Sequence, residues 1–523
     1  MALNLNIPIL VEHPVFIAET RPQKIRLLLQ ETHTQNPLEI AAHLLSELEI
    51  LNRQKISPTQ RLLALDCYQA LIKQTVDVLA ESYTHSMLPL HEQAKTATIA
   101  AENLWQELGY GYKLALIDIQ NQLIKLGTDK SSAHAIQRAI QALSEQALVN
   151  YQTYQIPPAF IWSDLHQLYL YAVQLGLHHN QNHEDAAKSA PTETDTHAHL
   201  VNSIEDAYKH AMLISLAQPQ HLTQKDIKRV ASYLAYHVQQ ARITAIEKSD
   251  NTPGVFIIGL NSSAPPTPYT KQKNAPNPVS DILLHTIDLV RESHQDLNRL
   301  QNNLLPSNGS ITAEDNLQEY IVLLTYLIKN WGLAPKRIFT RATKNGEVEL
   351  IAGIEAIQKS ALHAMTDHMT RNQMAAHSAP SRWKVLNMSA NGISIRRHHT
   401  AEKNITIGEL IAVRAKNEMH WAIGLVRWAN CGTRDRLDIG VQLIAPSATN
   451  AIAHTLEHNA SHGVLLLPEI LTIKQPATII TPTGLYQPGQ KCMMTHDNIK
   501  THILLTKVIE RTHAIERFEF TTQ

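Results

Sequence analysis

The chain has 523 residues, which is too long for one hydrophobic core and favours several domains. It carries 46 Lys and Arg against 47 Asp and Glu, a formal net charge of −1, so no overall field would attract nucleic acid or an acidic membrane. Any anionic ligand must therefore be bound by a local cluster of cations. Three widely spaced cysteines without a CxxC pair argue against a disulfide framework or a zinc site and are typical of a reducing compartment.

The distribution of apolar residues excludes membrane insertion. No window holds about eighteen apolar residues without charge, and the N-terminal stretch lacks a basic region followed by a long apolar run. We therefore expect a soluble, cytoplasmic protein.

The first third of the chain has the periodicity of helices. Between residues 57 and 83, apolar residues recur every three or four positions and form one stripe along a helix. Ser57 is a suitable N-cap, Pro58 suits the first turn, and Gln60 completes a capping box. Similar segments follow, so the sequence predicts an all-α domain of antiparallel helical hairpins over residues 1–178.

Residues 179–199 interrupt this pattern with a polar, unpatterned stretch, which we interpret as a linker or loop. Side chains that can ligate metals are concentrated at its ends. They are His178, His179, His183, Glu184, Asp185, His197 and His199. A solvated, histidine-rich loop is the simpler interpretation, and the sequence therefore predicts no metal site.

A second helical region is predicted over residues 200–332. Thr223 and Asp226 form a capping-box start, and Thr312 is the expected cap of the last helix. The stretches 223–246 and 281–305 are interpreted as helices. A proline-rich connector at 251–281, which begins with the short apolar strand "GVFIIGL", divides the region because proline excludes a continuous helix.

From about residue 333 the apolar period changes from 3.6 to 2. β-Branched and aromatic runs separated by turns predict an antiparallel barrel of six strands over residues 333–460. A helical insert at about 356–377 interrupts the strands, and a second helical stretch over 447–459 follows the last strand. Residues 461–523 are predicted to form a small C-terminal β-domain, so that the fold class is multidomain α + β.

Two arginines stand just ahead of the first barrel strand. Arg337 and Arg341 are four residues apart and Lys336 precedes them, so they form the local positive cluster that the neutral total charge lacks. A guanidinium group can form two hydrogen bonds with a phosphate or with the O6/N7 edge of guanine, and it stacks on flat rings. The alternative is a solvated basic turn that complements the C-terminal end of the preceding helix.

A polar hairpin is predicted in "RWKVLNMSANGISIRR" (382–397), with its turn at Asn391-Gly392. Asn387 and Ser389 are two residues apart and therefore lie on one side of a strand. Both side chains can donate and accept hydrogen bonds, and Gly392 permits a positive φ and a close approach of the backbone. In isolation, these would be ordinary residues flanking a turn.

R-x-x-x-R ahead of a barrel, followed by N-x-S-x-x-G on its early strands, resembles the motif pair of the PilZ domain, the bacterial receptor domain for cyclic di-GMP. The later stretches "WAIGLVRW" (421–428) and "DIGVQLI" (438–444) also resemble strands of that family. The resemblance covers about residues 333–460, a quarter of the chain. It implies a PilZ-like barrel with cyclic di-GMP as its ligand and no other cofactor.

The resemblance also implies roles for single residues. Arg337 and Arg341 would hold the guanines and phosphates. Asn387 and Ser389 would hydrogen-bond a guanine, and Gly392 would let the turn pack beneath it. Arg341 and Asn387 are 46 residues apart, more than is usual in the family, because the helical insert lies between them. The insert could add a dimerisation or effector surface, or it could move the arginines out of reach. Further candidate contacts are Lys336, Arg396 and Trp421.

The sequence therefore predicts a cyclic di-GMP receptor and effector of bacterial second-messenger signalling. The nucleotide would order the segment before the barrel and change how the helical region binds a protein partner. The alternative is a structural scaffold with a degenerate barrel that binds no nucleotide. No catalytic motif is present, and an enzyme would need a dispersed active site. A nucleic acid polymer is not expected as a partner, and the oligomeric state stays open, with a homo-oligomer among the alternatives.

Overall fold

The computed structural model describes residues 3–12, 15–31, 36–122, 128–180, 201–246, 253–269, 276–333, 342, 346–365, 380–397, 404–415, 418, 420–432, 436–455 and 461–523. The chain divides into two compact units. The helical unit comprises Met1–Ser86 and Leu90–Lys336, and the barrel unit comprises Met87–Pro89 and Arg337–Gln523. Among the described helices, none combines the length and apolar character needed to cross a bilayer.

Six helices are described in the first part of the helical unit, and the apolar periodicity predicted helices here from about residue 38 onward. They are α1 (Pro22–Glu31), α2 (Pro37–Asn52), α3 (Pro58–Thr84), α4 (Glu92–Gln120), α5 (Thr128–Gln152) and α6 (Ala159–Gln174). The predicted cap of α3 is confirmed, because the Ser57 side chain accepts a hydrogen bond from the Gln60 N–H. In the core, Lys113 Nζ lies 2.7 Å from Asp164 Oδ2, so that these two buried charges compensate each other.

In the described residues, the second part of the helical unit combines four helices with a small sheet, of which the sequence analysis predicted only the strand in "GVFIIGL". The helices are α7 (Ile204–Leu216), α8 (Gln224–His237), α9 (Ile287–Gln301) and α10 (Leu317–Gly332). The strands β1 (Arg242–Ala245), β2 (Val255–Gly259), β3 (Thr267–Pro268) and β4 (Asp281–His285) form a sheet in the order β1-β4-β2-β3. The helix predictions for 223–246 and 281–305 are therefore wrong at residues 242–245 and 281–285.

Two N-caps were predicted for helices in this region, and one of the two is confirmed. Thr223 caps α8 as predicted, since its side chain accepts from the Asp226 N–H. The cap of α10 is Asn316 instead of Thr312, and the Thr312 N–H donates to the Asp315 carboxylate 2.9 Å away. The local side chain–backbone bond formed by Thr312 belongs to the loop before the helix.

The first barrel of the barrel unit has six antiparallel strands and closes on itself, as predicted. Its strands are β5 (Glu347–Ala352), β6 (Ser381–Ser389), β7 (Gly392–Arg397), β8 (Leu410–Ala415), β9 (Ala422–Cys431) and β10 (Leu437–Ala445), in the order β10-β7-β6-β5-β8-β9. Alternate residues such as Trp383, Val385 and Ile395 are buried in its interior.

The second barrel also has six antiparallel strands and is closed. Its strands are β11 (Thr449–Thr455), β12 (Ser461–Leu467), β13 (Thr478–Pro482), β14 (Lys491–His496), β15 (Ile499–Arg511) and β16 (Ile515–Thr522), in the order β11-β12-β13-β16-β15-β14. The helix predicted over 447–459 is wrong, because residues 449–455 form a strand that pairs with β12 and β14. Ala451 and Ala453 are buried while Ile452 is exposed, which is the alternation of a strand.

The helical insert between β5 and β6 is α11 (Ile354–Met365). Its predicted continuation through residue 377 lies outside the described residues from 366 onward. Ile357 of α11 is buried in one apolar cluster with Leu425 of the first barrel and Leu465 of the second barrel. The insert therefore packs where the two barrels meet.

Candidate functional site

The hairpin of β6 and β7 carries the predicted polar residues. Asn387 is opposite Ser394, and Ser389 is opposite Gly392, so that Ala390 and Asn391 form the turn, one residue earlier than predicted. The Ser389 hydroxyl donates to the Gly392 carbonyl over 3.3 Å and closes the turn. Asn387 and Ser389 are both half-buried.

A β-bulge turns these residues to the outside of the barrel. Val385 and Ile395 are opposite each other and buried in the interior. The pairing shifts between Val385 and Asn387, and the extra residue Leu386 reverses the alternation that follows. Asn387 and Ser389 therefore belong to the outer face of the barrel.

On the same outer face, Gly440 leaves a gap in the strand surface, here called the notch, which an aromatic ring covers. Ser394, opposite Asn387, is itself opposite Gly440 of β10, which is opposite Trp428 of β9. A Cβ atom at Gly440 would lie 1.7 Å from Trp428 Nε1, so the indole ring lies across this glycine. Trp428 is half-buried. Two strand spacings of about 4.8 Å separate Gly440 from Asn387, so the ring and the polar hairpin border one surface about 10 Å wide.

Gly392 is required for a different reason than a positive φ. It is not among the glycines with positive φ, so the positive φ that a glycine permits is not adopted at this position. A Cβ atom at Gly392 would lie 3.0 Å from the Val441 carbonyl oxygen. The close approach of the β10 backbone, which the sequence analysis also predicted, is therefore the reason for glycine at this position.

One described residue ahead of the first barrel strand pairs with this hairpin. Ala342 forms an antiparallel bridge with Met388, with N···O distances of 2.9 and 3.0 Å. Met388 lies between Asn387 and Ser389 in β6. Lys336, Arg337 and Arg341 lie outside the described residues, and Arg341 directly precedes Ala342 in the sequence. The helical insert lies between Ala342 and β6 in the sequence. It does not prevent Ala342 from pairing with the hairpin.

Arg396, a predicted additional contact, lies on the outer face beside Asn387 and Ser389 of the polar hairpin. Its guanidinium group forms two hydrogen bonds with Asp438, of 2.6 and 2.9 Å, and Arg436 lies 2.8 Å from the same carboxylate. Burial raises the pKa of the Asp438 carboxyl, but the hydrogen bonds from Arg396 and Arg436 outweigh it and hold that pKa below its usual value. Two guanidinium groups against one carboxylate leave a net positive charge here.

Trp421, the other predicted additional contact, is engaged elsewhere. Its ring lies 4.4 Å from the guanidinium carbon of Arg414 and packs against the apolar cluster between the barrels. Arg414 is also paired with Glu349 at 2.5 Å. Trp421 directly precedes β9 and lies seven residues before Trp428, which is about 23 Å in an extended strand. Trp428, in contrast, lies on the outer face beside the polar hairpin.

Arg427 holds the β9 backbone next to Trp428. It is the extra residue of a second bulge, because Gly440 is opposite Trp428 while Val441 is opposite Val426. Its Nε donates to Gln442 Oε1 over 2.8 Å, and its Nη1 lies 2.7 Å from Glu510 of the second barrel. The second barrel therefore helps to fix the strand that presents Trp428.

Comparison with known proteins finds three consecutive domain matches along the chain. Residues 23–249 match the N-terminal domain of the cyclic-di-GMP receptor FimW, residues 357–450 its middle PilZ domain, and residues 448–523 its C-terminal beta-barrel domain. The cyclic-di-GMP receptor FimW of Pseudomonas aeruginosa is 23% identical over 587 aligned positions, which cover 99% of this chain and 93% of that protein. The PilZ match includes Asn387, Ser389 and Gly392 but begins after Arg337 and Arg341.

Proposed function

The chain belongs to the family of bacterial cyclic di-GMP receptors with a PilZ domain, and from this premise we propose that it binds cyclic di-GMP on the outer face of its first barrel. The bridge between Ala342 and Met388 carries the proposal. It ties the residue that follows Arg341 to the strand between Asn387 and Ser389. The arginine motif and the hairpin motif can therefore serve one ligand.

The ligand chemistry fits the side chains on both segments. Arg337 and Arg341 supply guanidinium groups for the two phosphates and for a guanine O6/N7 edge. Asn387 and Ser389 supply donors and acceptors for the polar edge of a guanine. Gly392 keeps the hairpin close to β10, where a side chain would meet the Val441 carbonyl. Lys336 adds a further cation to the arginine segment.

Trp428 supplies a stacking surface for a base. It is half-buried and lies across Gly440, two strands from Asn387 on the same face. Stacking of a base on an aromatic side chain contributes about 1–3 kcal/mol. Arg396 adds positive charge beside this surface while Asp438 fixes its position. Trp421 has no part in the site.

The output is a change in protein binding by the helical unit. The ligand joins the arginine segment, which follows directly after the helical unit, to the barrel hairpin, and so selects one arrangement of that connection. A micromolar affinity corresponds to about 8 kcal/mol and needs only a few charged and stacking contacts. The proposal assigns no catalysis to the chain. It places the receptor in the cytoplasm, which the sparse cysteines support.

Calorimetric titration of the purified chain with cyclic di-GMP tests the proposal. The wild-type chain should bind saturably. Arg341→Ala should weaken binding at least about tenfold, because hydrogen bonds to charged groups contribute about 1.5–3 kcal/mol, and Ser389→Ala should weaken it about fivefold. Arg414→Ala is the matched control, since this arginine of the same barrel is paired with Glu349, and it should bind as the wild type does.

Two outcomes would contradict the proposal. The absence of binding at tens of micromolar ligand would leave a scaffold with a barrel that binds no nucleotide. Equal losses in Arg341→Ala and Arg414→Ala would mean that general charge, and not the site on the outer face, attracts the ligand.

A further inference from the structure

A second site lies in the helical unit, between the end of α6 and the start of α7. We propose that His178, His179 and Glu205 bind a zinc ion there. These three residues, the α6–α7 site, each offer one ligand atom, and the three atoms all lie within 4.8 Å of one another. These residues belong to the helical unit, whereas the proposed cyclic di-GMP site belongs to the barrel unit.

The backbone holds the three residues together. The Glu205 N–H donates to the His178 carbonyl over 3.0 Å, which joins the chain after α6 directly to the first turn of α7. Gly176 has a φ of 69°, the left-handed conformation that commonly follows the end of a helix. The Leu177 N–H donates to the Ala172 carbonyl at 2.9 Å and so caps the last turn of α6. The positions of both histidines are therefore set by the end of a helix.

The side chains converge as ligands would. His179 Nδ1 lies 3.8 Å from Glu205 Oε2, and the centroids of the two imidazole rings are 4.0 Å apart. Ligand atoms on a tetrahedral zinc ion with bonds of 2.0–2.1 Å are about 3.3 Å apart. Small rotations of the exposed His179 would therefore complete the geometry.

His178 Nδ1 is a buried ring nitrogen for which the described residues provide no hydrogen-bond partner. Leaving such an atom unpaired costs free energy that a bound cation would recover.

Glu205 is held in position by groups around it. The Tyr169 hydroxyl donates to Glu205 Oε2 over 3.2 Å, an arrangement typical of residues that orient a metal-binding carboxylate. The ammonium group of Lys209 lies 3.7 Å from Glu205 Oε1, but it is closer to Asp206, at 3.0 Å, and donates to the Ala241 carbonyl at 3.0 Å. The carboxylate therefore remains available to a cation.

Zinc is the cation that this ligand set favours. Two imidazoles and one carboxylate are ligands of zinc in proteins, and three protein ligands leave one position for water. Because the site joins residues 178–179 to residue 205, a bound ion would also close the intervening chain and stabilise the packing of α6 against α7.

Zinc binding to the full chain, measured by competition with a chromophoric chelator, tests the site. One equivalent of Zn²⁺ should bind, and it should raise the melting temperature. His179→Ala and Glu205→Gln should each weaken binding by more than about tenfold, because they remove ligands of the ion itself. His43→Ala, which removes an exposed histidine of α2, is the control and should bind as the wild type does. Circular dichroism of each variant verifies that it is folded.

Two results would overturn the site. One is the absence of stoichiometric zinc binding to the wild-type chain. The other is wild-type binding by both His179→Ala and Glu205→Gln together with its loss in a His183→Ala, His197→Ala, His199→Ala triple variant, which would assign the zinc to the histidine-rich segment.

Discussion

The two barrels of this protein share a strand number, a closed antiparallel topology and a common apolar cluster. They differ in how each uses a strand glycine. In the first barrel, Gly440 leaves room for the ring of Trp428 on the outer face. In the second barrel, a Cβ atom at Gly463 would lie 2.6 Å from Gln358 Oε1 of the insert helix, so that this glycine makes room for packing.

This difference shows that the barrel fold does not itself determine ligand binding. The backbone carbonyl of Gln358 accepts a hydrogen bond from Asn450 Nδ2 at 2.7 Å, so a side chain of the insert helix fills the notch at Gly463. The notch at Gly440 instead borders the polar hairpin of Asn387. We therefore attribute the proposed ligand binding to the outer face of the first barrel and not to the barrel fold as such.

The largest effect is expected from a methyl group in the notch of the first barrel. Gly440→Ala places a Cβ atom 1.7 Å from Trp428 Nε1, which forces the ring off the outer face. We expect the affinity for cyclic di-GMP to fall about a hundredfold, because the change disturbs both base stacking on Trp428 and the neighbouring polar hairpin. Calorimetric titration measures this loss.

Gly463→Ala is the matched control in the second barrel. Its Cβ atom would meet only the end of the flexible Gln358 side chain, which can rotate away. The variant should bind cyclic di-GMP as the wild type does. An equal loss of affinity in both glycine variants would mean that the two barrels respond to strain as one body, and the proposed difference between their faces would be wrong.

A smaller effect is expected from removing the ring alone. Trp428→Ala should weaken cyclic di-GMP binding about tenfold, within the range expected for the loss of base stacking. Trp421→Ala should leave the affinity unchanged and lower the melting temperature, because its ring packs between the barrels. Titration and thermal melting of both variants compare the two tryptophans. The reverse result would assign the aromatic contact to Trp421.

The smallest effect concerns stability in acid. Asp438 has a lowered pKa in the folded protein, so its ion pairs with Arg396 and Arg436 stabilise the fold above the unfolded-state pKa of about 4 and are lost as the pH falls further. We expect about 1 kcal/mol, since solvent screens these partly exposed arginines. Melting temperatures between pH 5 and pH 3 should fall more steeply for the wild type than for Asp438→Asn. Asp497→Asn, in an exposed turn of the second barrel, should follow the wild type.

Much of the fold was readable from the sequence, and the errors have physical causes. The first barrel was predicted because its strands are β-branched and alternate in polarity. The strands at 242–245 and 281–285 are short apolar runs beside helices, and periodicity over four or five residues cannot separate the two structures. β11 was interpreted as a helix because its alanines favour helices, whereas pairing with β12 and β14 decides its conformation.

The candidate site was less accessible to sequence analysis. Asn387, Ser389 and Gly392 form a local motif, and the structure places them together in one hairpin. The choice of Trp428 over Trp421 depends on register across four strands and on two bulges, which no local pattern reveals. The sequence analysis did not predict the α6–α7 site for a similar reason, because Glu205 is 26 residues from His179 in the sequence.

Hydrogen–deuterium exchange of the full chain, with and without cyclic di-GMP, tests the central claim most directly, because it reports on both segments of the site at once. We predict that the ligand protects amides of residues 336–342 and of residues 387–392 together, since it joins the arginine segment to the hairpin. The second barrel should show little change. Saturable binding that protects the hairpin but leaves residues 336–342 unaffected would contradict the claim that the ligand bridges the two motifs.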